Sequence, residues 1–170
     1  RDTDRSRGLG DVYKRQDIYN ADLADILLNI IGKYNIEPSR LHLEITESAY
    51  TDTPDQIIQT VEELRRYGFV IEMDDFGSGY SSLNMLNKLP LDILKLDMKF
   101  IQNETAASDH KILHFIIDLA KGMNLSVIAE GVETNEQLER LKELECDQAQ
   151  GYYFAKPMPT VQFEALLHND

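Results

Sequence analysis

The chain predicts an α/β fold built on a parallel sheet, part of an α/β barrel, and three observations predict it. Short apolar runs recur at Leu41–Ile45, Phe69–Met73, Ile93–Leu96 and Leu125–Ala129. Near-continuous runs of this length are the mark of strands covered on both faces. Stretches of helical periodicity separate them, the alternation that forces strands to run parallel. Each run also carries or precedes acidic residues: Glu44 and Glu47, Asp74 and Asp75, Asp97 close to Lys95, and Glu130 and Glu133. Barrel enzymes collect their reactive side chains where the strands end, and carboxylates collected there repel one another unless a cation joins them. The pattern points to part of a metal-dependent barrel enzyme.

The elements follow in order. Leu23, Ile26, Leu27, Ile30 and Ile31 form an apolar stripe at helical spacing within Asp17–Tyr34, and Pro38 lies beyond its end. The strand Leu41–Ile45 comes next. Thr53-Pro54 supplies an N-cap and a first-turn proline for a helix whose apolar face is Ile57, Ile58, Val61 and Leu64, stopped by Gly68. After the strand Phe69–Met73, Ser81–Lys88 predicts a short helix ahead of Pro90, and Asp92–Leu96 a strand. A helix over Ser108–Gly122, a strand over Leu125–Ala129 and a helix over Thr134–Leu144 follow, the last opening on a Thr-x-x-Gln capping box. One more short strand precedes Gln150-Gly151-Tyr152, and a final helix begins near Thr160. That makes five strands, whereas a closed barrel has about eight and typically about 250 residues. The expectation is an incomplete barrel whose first strands are missing.

Composition sets the first sixteen residues apart. Arg1–Gln16 carries five basic and three acidic residues, a net of +2, against 12 basic and 27 acidic in residues 17–170, a net of −15. The peptide Ser6–Gln16 matches the in-frame translation of a transposon-type sequencing adapter, so residues 1–16 are read as non-native and residues 17–170 as the C-terminal part of a domain that begins earlier. One domain fits that length. The single Cys146 excludes an intramolecular disulfide, and no apolar run approaches the roughly 20 residues needed to cross a bilayer. A cytoplasmic domain is expected, in a parent that a missing N-terminal region would be free to anchor in a membrane. The acidic balance argues against binding a polymeric nucleic-acid backbone, which calls for clustered Lys and Arg.

Five segments then carry a resemblance. Leu43-Glu44-Ile45-Thr46-Glu47-Ser48, Met73-Asp74-Asp75-Phe76-Gly77-Ser78-Gly79-Tyr80-Ser81-Ser82-Leu83, Leu89-Pro90-Leu91-Asp92-Ile93-Leu94-Lys95-Leu96-Asp97, Val127-Ile128-Ala129-Glu130-Gly131-Val132-Glu133-Thr134 and Gln150-Gly151-Tyr152-Tyr153-Phe154-Ala155-Lys156-Pro157 resemble, in order and spacing, the EAL domain of bacterial cyclic di-GMP phosphodiesterases. The resemblance implies a modified (β/α)8 barrel that linearises cyclic di-GMP to pGpG with Mg2+ or Mn2+ in a two-metal site. It implies Glu44, Asp74, Asp75 and Glu130 as metal ligands and Lys95, Glu130 and Gln150 as catalytic groups. Glu47, Ser78 and Glu133 become supporting residues of the site and its loop, Ser78 standing where Thr is also common in the family. A homodimer, and an upstream sensor or diguanylate cyclase (GGDEF) domain, are family expectations. The family's Glu-Ala-Leu strand and the Asn-bearing strand after it would lie upstream of Asp17, so the chain by itself is expected to be inactive or nearly so.

The chemistry suits these residue types. A phosphodiester is anionic and slow to cleave, and paired divalent cations neutralise it while supplying hydroxide near neutral pH; such hard cations choose oxygen ligands. Duller readings remain beside these. Asp74-Asp75 would also serve a turn and helix cap, Lys95 a structural ion pair, and Glu44 is a costly lone carboxylate if its strand is buried. Gly77-Ser78-Gly79 lacks the Gly-x-x-x-x-Gly-Lys pattern of a P-loop. His42, His110, His114 and His168 show no metal-binding constellation, and at least one ring of Tyr152-Tyr153-Phe154 is expected in the core. A different class of function stays open, a noncatalytic module that binds cyclic di-GMP or a protein partner, although the retained Glu44, Asp74, Asp75, Lys95 and Glu130 favour the enzyme.

Overall fold

The computed structural model describes residues 22–46, 49–50, 54–76, 82–97, 99 and 107–167, the side chains of 75, 82, 107–110 and 167 excepted. The order is α1 (Leu23–Gly32), a 3-10 turn (Pro38–Arg40), β1 (His42–Thr46), α2 (Pro54–Arg66), β2 (Val70–Phe76), α3 (Ser82–Lys88), β3 (Ile93–Leu96), α4 (Ala107–Gly122), β4 (Ser126–Ala129), α5 (Asn135–Glu143), β5 (Gln148–Ala149) and α6 (Thr160–Leu167). All five strands lie in one parallel sheet, each beside its neighbour in sequence. The expected alternation of α and β is thus present.

Four helices are delivered to the next strand by the same local device. Asn35, Gly68, Asn124 and Glu145 each take a positive φ just past a helix. At the end of α2, the Gly68 amide donates to Arg65 O (2.9 Å) and the Phe69 amide to Leu64 O (3.2 Å), the paired bonds that satisfy the last carbonyls of a helix. The equivalent bonds, Leu125 N to Ala120 O and Cys146 N to Leu141 O, are both 2.9 Å. At the other end of α5, Thr134 Oγ1 accepts from the Gln137 amide while Gln137 Oε1 accepts from the Thr134 amide, the capping box anticipated from sequence.

Alternation along each strand divides the sheet into two faces. Register aligns Ile45, Met73, Leu94 and Val127 in one row, and all four are buried. Against that face pack Ile57, Val61 and Leu64 of α2, Met85 and Leu86 of α3, Leu113, Ile117 and Ala120 of α4, and Leu141 of α5. Each fully buried aliphatic side chain stabilises the fold by roughly 1.5–3 kcal/mol. The opposite face carries Glu44, Glu72, Asp74 and Lys95, and register sets Glu44 directly beside Glu72. Asp92 and Asp147, each immediately before a strand, accept amide bonds from the preceding strand, Ile71 N to Asp92 Oδ2 (2.9 Å) and Val127 N to Asp147 Oδ2 (2.8 Å). These carboxylates pin the start of β3 against β2 and of β5 against β4, which fixes how far each strand's other end projects.

The structure departs from the sequence reading in three places. β2 runs on to Phe76, so Asp74 and Asp75 belong to the strand; Thr46 pairs with Asp74, and the register with β3 shifts between Met73 and Phe76. β1 is not buried on both faces: His42 and Glu44 are exposed, because among the described residues β1 has a neighbour only on the β2 side. Tyr152, Tyr153 and Phe154 are all exposed, since the turn after β5 carries them outward, with Tyr153 Oη donating to Asn135 Oδ1 and Lys156 Nζ lying 5.4 Å from the Tyr152 ring centre.

Candidate active site

Each strand contributes one polar group near its C-terminal end. Glu44 comes from β1, Asp74 from β2, Lys95 from β3, Glu130 from the residue after β4 and Gln150 from the residue after β5. They converge on the Lys95 ammonium. Its Nζ stands 2.7 Å from Glu44 Oε1, 2.9 Å from Glu130 Oε1 and 3.1 Å from Asp74 Oδ1. Gln150 Nε2 donates to the same Glu130 Oε1, and backbone bonds from Glu130 N to Leu96 O and from Gln150 N to Ala129 O hold these two residues in step with the sheet.

Lys95 is 6% exposed. Burial alone pulls its pKa down, but the close carboxylates of Glu130, Glu44 and Asp74 outweigh that and hold it above the ordinary lysine value. Lys95 therefore stays a cation at neutral pH and is suited to stabilise negative charge, not to accept a proton. Glu130 is pushed above the ordinary glutamate value, chiefly by burial and against the pull of Lys95. Asp74 Oδ1 is buried and, although within ion-pair distance of Lys95, receives no well-directed hydrogen bond.

The structure brings together five of the residues singled out from sequence: Glu44, Asp74, Lys95, Glu130 and Gln150. Glu44 is half-exposed, so the cost of burying a lone carboxylate does not arise. Glu133 is exposed; its amide donates to Gln137 Oε1 at the start of α5, and no contact joins it to Lys95. Glu47, Ser78 and the side chain of Asp75 lie outside the described residues, as do the side chains of His110 and His168. Among the described residues, no three His, Cys, Asp or Glu groups are arranged to hold a metal ion; the carboxylates point at Lys95 instead. The donor chemistry nonetheless suits a hard divalent cation: three carboxylates face one ammonium, and the buried Asp74 Oδ1 has unused acceptor capacity. The letters Glu164-Ala165-Leu166 do occur, on the exposed helix α6 and not on a strand. Sequence reasoning missed Glu72, the only other buried charged residue among those described; its place one alternation before Asp74 was the available signal. No described helix is long and apolar enough to cross a membrane.

Comparison with known proteins places the chain in a family. The EAL domain family model matches residues 13–157, a span that opens within the sixteen residues of distinct composition. The cyclic di-GMP phosphodiesterase NbdA of Pseudomonas aeruginosa is 42% identical over 148 residues, 86% of this chain and 19% of that protein. The bifunctional diguanylate cyclase/cyclic di-GMP phosphodiesterase MucR of the same organism is also 42% identical over 148 residues, 86% of this chain and 22% of MucR. The chain thus spans about a fifth of the length of these relatives. The solved PaMucR phosphodiesterase in complex with c-di-GMP superposes with a TM-score of 0.80 at 39% identity, covering 88% of this chain and 61% of that one. The calcium/cyclic di-GMP complex of Klebsiella pneumoniae BlrP1 gives 0.78 at 26% identity, over 85% of this chain and 37% of that one. A family match over most of the chain, joined to a parallel α/β sheet whose strand ends converge on Lys95, establishes that this chain belongs to the EAL domain family.

Proposed function

We propose that the protein carrying this domain hydrolyses cyclic di-GMP to pGpG with Mg2+ or Mn2+. The observation that carries the reading is the convergence of Glu44, Asp74 and Glu130 on the buried ammonium of Lys95, in a chain similar to named cyclic di-GMP phosphodiesterases. In this reading Glu44, Asp74, Asp75 and Glu130 would hold divalent cations, which when bound neutralise the phosphodiester and lower the pKa of a coordinated water. The calcium in the BlrP1 complex supports an oxygen-rich cation site. Lys95 stabilises negative charge developing on phosphate oxygens. Glu130, placed by Gln150, orients the attacking water.

The activity is proposed for the longer protein, with the 170-residue chain alone turning over little or none. Residues 1–16 are proposed to be foreign and 17–170 the C-terminal part of the domain. A homodimer, an upstream diguanylate cyclase domain like the activity in MucR's name, and a cytoplasmic placement complete the proposal.

The test is hydrolysis of cyclic di-GMP by the whole protein, with product resolved by chromatography, with Mg2+ or Mn2+ and with chelator. Metal-dependent pGpG formation that falls by a factor of roughly 100 or more in Lys95→Met and Asp74→Asn supports it. Tight binding of cyclic di-GMP without turnover would replace it with the noncatalytic module.

A further inference from the structure

Glu72 is placed to compete for Lys95 and does not. In the register of β2 and β3, Glu72 pairs with Ile93, which makes Lys95 its diagonal neighbour on the same face of the adjacent strand, a separation of about 7–8 Å that long side chains span. Glu44 lies two strands from Lys95, about 9.5 Å across the sheet, yet Glu44 takes the ammonium. Glu44 and Glu72 are also direct cross-strand partners on one face, a like-charge arrangement that is unfavourable unless each charge is met separately. Glu72 is 4% exposed, so it needs a partner inside the protein. That partner is His42, whose Nδ1–H donates to Glu72 Oε1 from a ring that is half-exposed at the edge of β1.

We propose that His42 is a positioning residue that diverts Glu72 from Lys95 and so reserves the ammonium for Glu44, Asp74 and Glu130. The donors are divided between two adjacent carboxylates: Glu44 receives Lys95, Glu72 receives His42. Without His42, Glu72 is left as a buried carboxylate with Lys95 as its diagonal neighbour on the same face, and it draws the ammonium one layer deeper, away from the strand ends. The consequence for turnover rests on the proposed function; the division of charge does not.

Removing both residues separates a diverting role for His42 from that of a latch. A simple latch between β1 and β2 would be weakened by removing either partner and would not recover when both are gone. A diverting residue becomes dispensable once the carboxylate it occupies is neutral. The experiment records the 1H–15N resonance of the Lys95 side-chain ammonium in the 15N-lysine-labelled 170-residue chain, assigned by its loss in Lys95→Met. The variants are His42→Ala, Glu72→Gln and the double variant, with circular dichroism to verify folding. The expected result is a displaced Lys95 resonance in His42→Ala, little change in Glu72→Gln, and a return to the wild-type position in the double variant. If His42→Ala does not fold, Glu72→Gln and the double variant still decide, because the inference requires both to keep the wild-type Lys95 resonance, whereas a latch displaces it in both. A Lys95 resonance unmoved by His42→Ala, or displaced equally in His42→Ala and the double variant, overturns the inference. In the whole protein, cyclic di-GMP turnover should fall roughly tenfold in His42→Ala, as for other residues that act through a site's ligands, and recover in the double variant. If the Lys95 resonance follows the expected cycle while the whole protein neither binds nor hydrolyses cyclic di-GMP, the division of charge stands and the functional reading alone falls.

Discussion

Replacing Lys95 with Met tests whether the polar face is held together by charge. The substitution keeps the unbranched stem and removes the ammonium from the centre of Glu44, Asp74 and Glu130. The three ion pairs do not weigh equally. The Glu44 side chain is 51% exposed, so its pair is worth at most about 0.5 kcal/mol after screening. Asp74 and Glu130 are each 21% exposed at the side chain, and stripping a buried carboxylate of its cation costs about 3–5 kcal/mol in a fully enclosed site. Partial solvent access moves that to the lower end, and the Met stem recovers some packing, so the net expectation is a loss of about 2–3 kcal/mol. At roughly 2–4 °C per kcal/mol for a domain of this size, the melting temperature should fall by about 4–12 °C. Urea unfolding of the 170-residue chain at low ionic strength is the assay. A midpoint change worth less than about 0.5 kcal/mol with unchanged slope would show that the carboxylates find water instead and that the convergence has no energetic content. Glu130→Gln in the Lys95→Met background should cost much less than in the wild type, because the two groups share one interaction.

Two further predictions follow from local geometry. Gly151→Ala would place a Cβ 2.2 Å from Val132 O and 2.3 Å from Val132 N, both backbone atoms that cannot move without breaking the bonds Val132 N to Gln150 O and Tyr153 N to Val132 O. The expected loss is about 3 kcal/mol, together with displacement of Gln150 from Glu130; a melting temperature within 1–2 °C of wild type (roughly 0.5 kcal/mol) would refute it. Cys146 is held above the ordinary thiol value by burial, beside the carbonyls of Val127 and Gln148. A raised folded-state pKa stabilises fully below the unfolded value and is lost as pH rises through the folded one, so stability should decline in the alkaline range above the usual cysteine pKa. At pH 8 the native thiol should react with a disulfide reagent at least about tenfold more slowly than in urea, and equal rates would show that the thiol is neither buried nor shifted.

Most of the architecture was legible in the sequence. Apolar runs a few residues long alternated with helical stripes, and Gly68 and the Thr134 capping box marked where helices stop and start; these are local signals, set by backbone sterics and by which amides lack partners. The candidate site was legible for a similar reason. Acidic residues at strand ends of a parallel sheet must lie at one edge, so Glu44, Asp74, Lys95 and Glu130 were bound to be neighbours if the sheet formed. The exposure of Tyr152, Tyr153 and Phe154 was not legible, because an aromatic cluster after a strand looks the same in sequence whether it faces the core or solvent. Likewise β1 read as buried, since an apolar run does not say how many neighbours its strand has.

By itself, the sequence determined the order of elements, the parallel sheet, the family and the identity of the residues at its polar edge, all consequences of periodicity, chain reversal and motif. Tertiary structure alone decided how the charges are shared. Register placed Glu44 against Glu72 and Lys95 diagonal to Glu72, and only the positions of side chains from three strands show that the ammonium goes to Glu44, Asp74 and Glu130 while His42 takes Glu72. Pairing between charges is a property of distances across strands, which no spacing along the chain encodes.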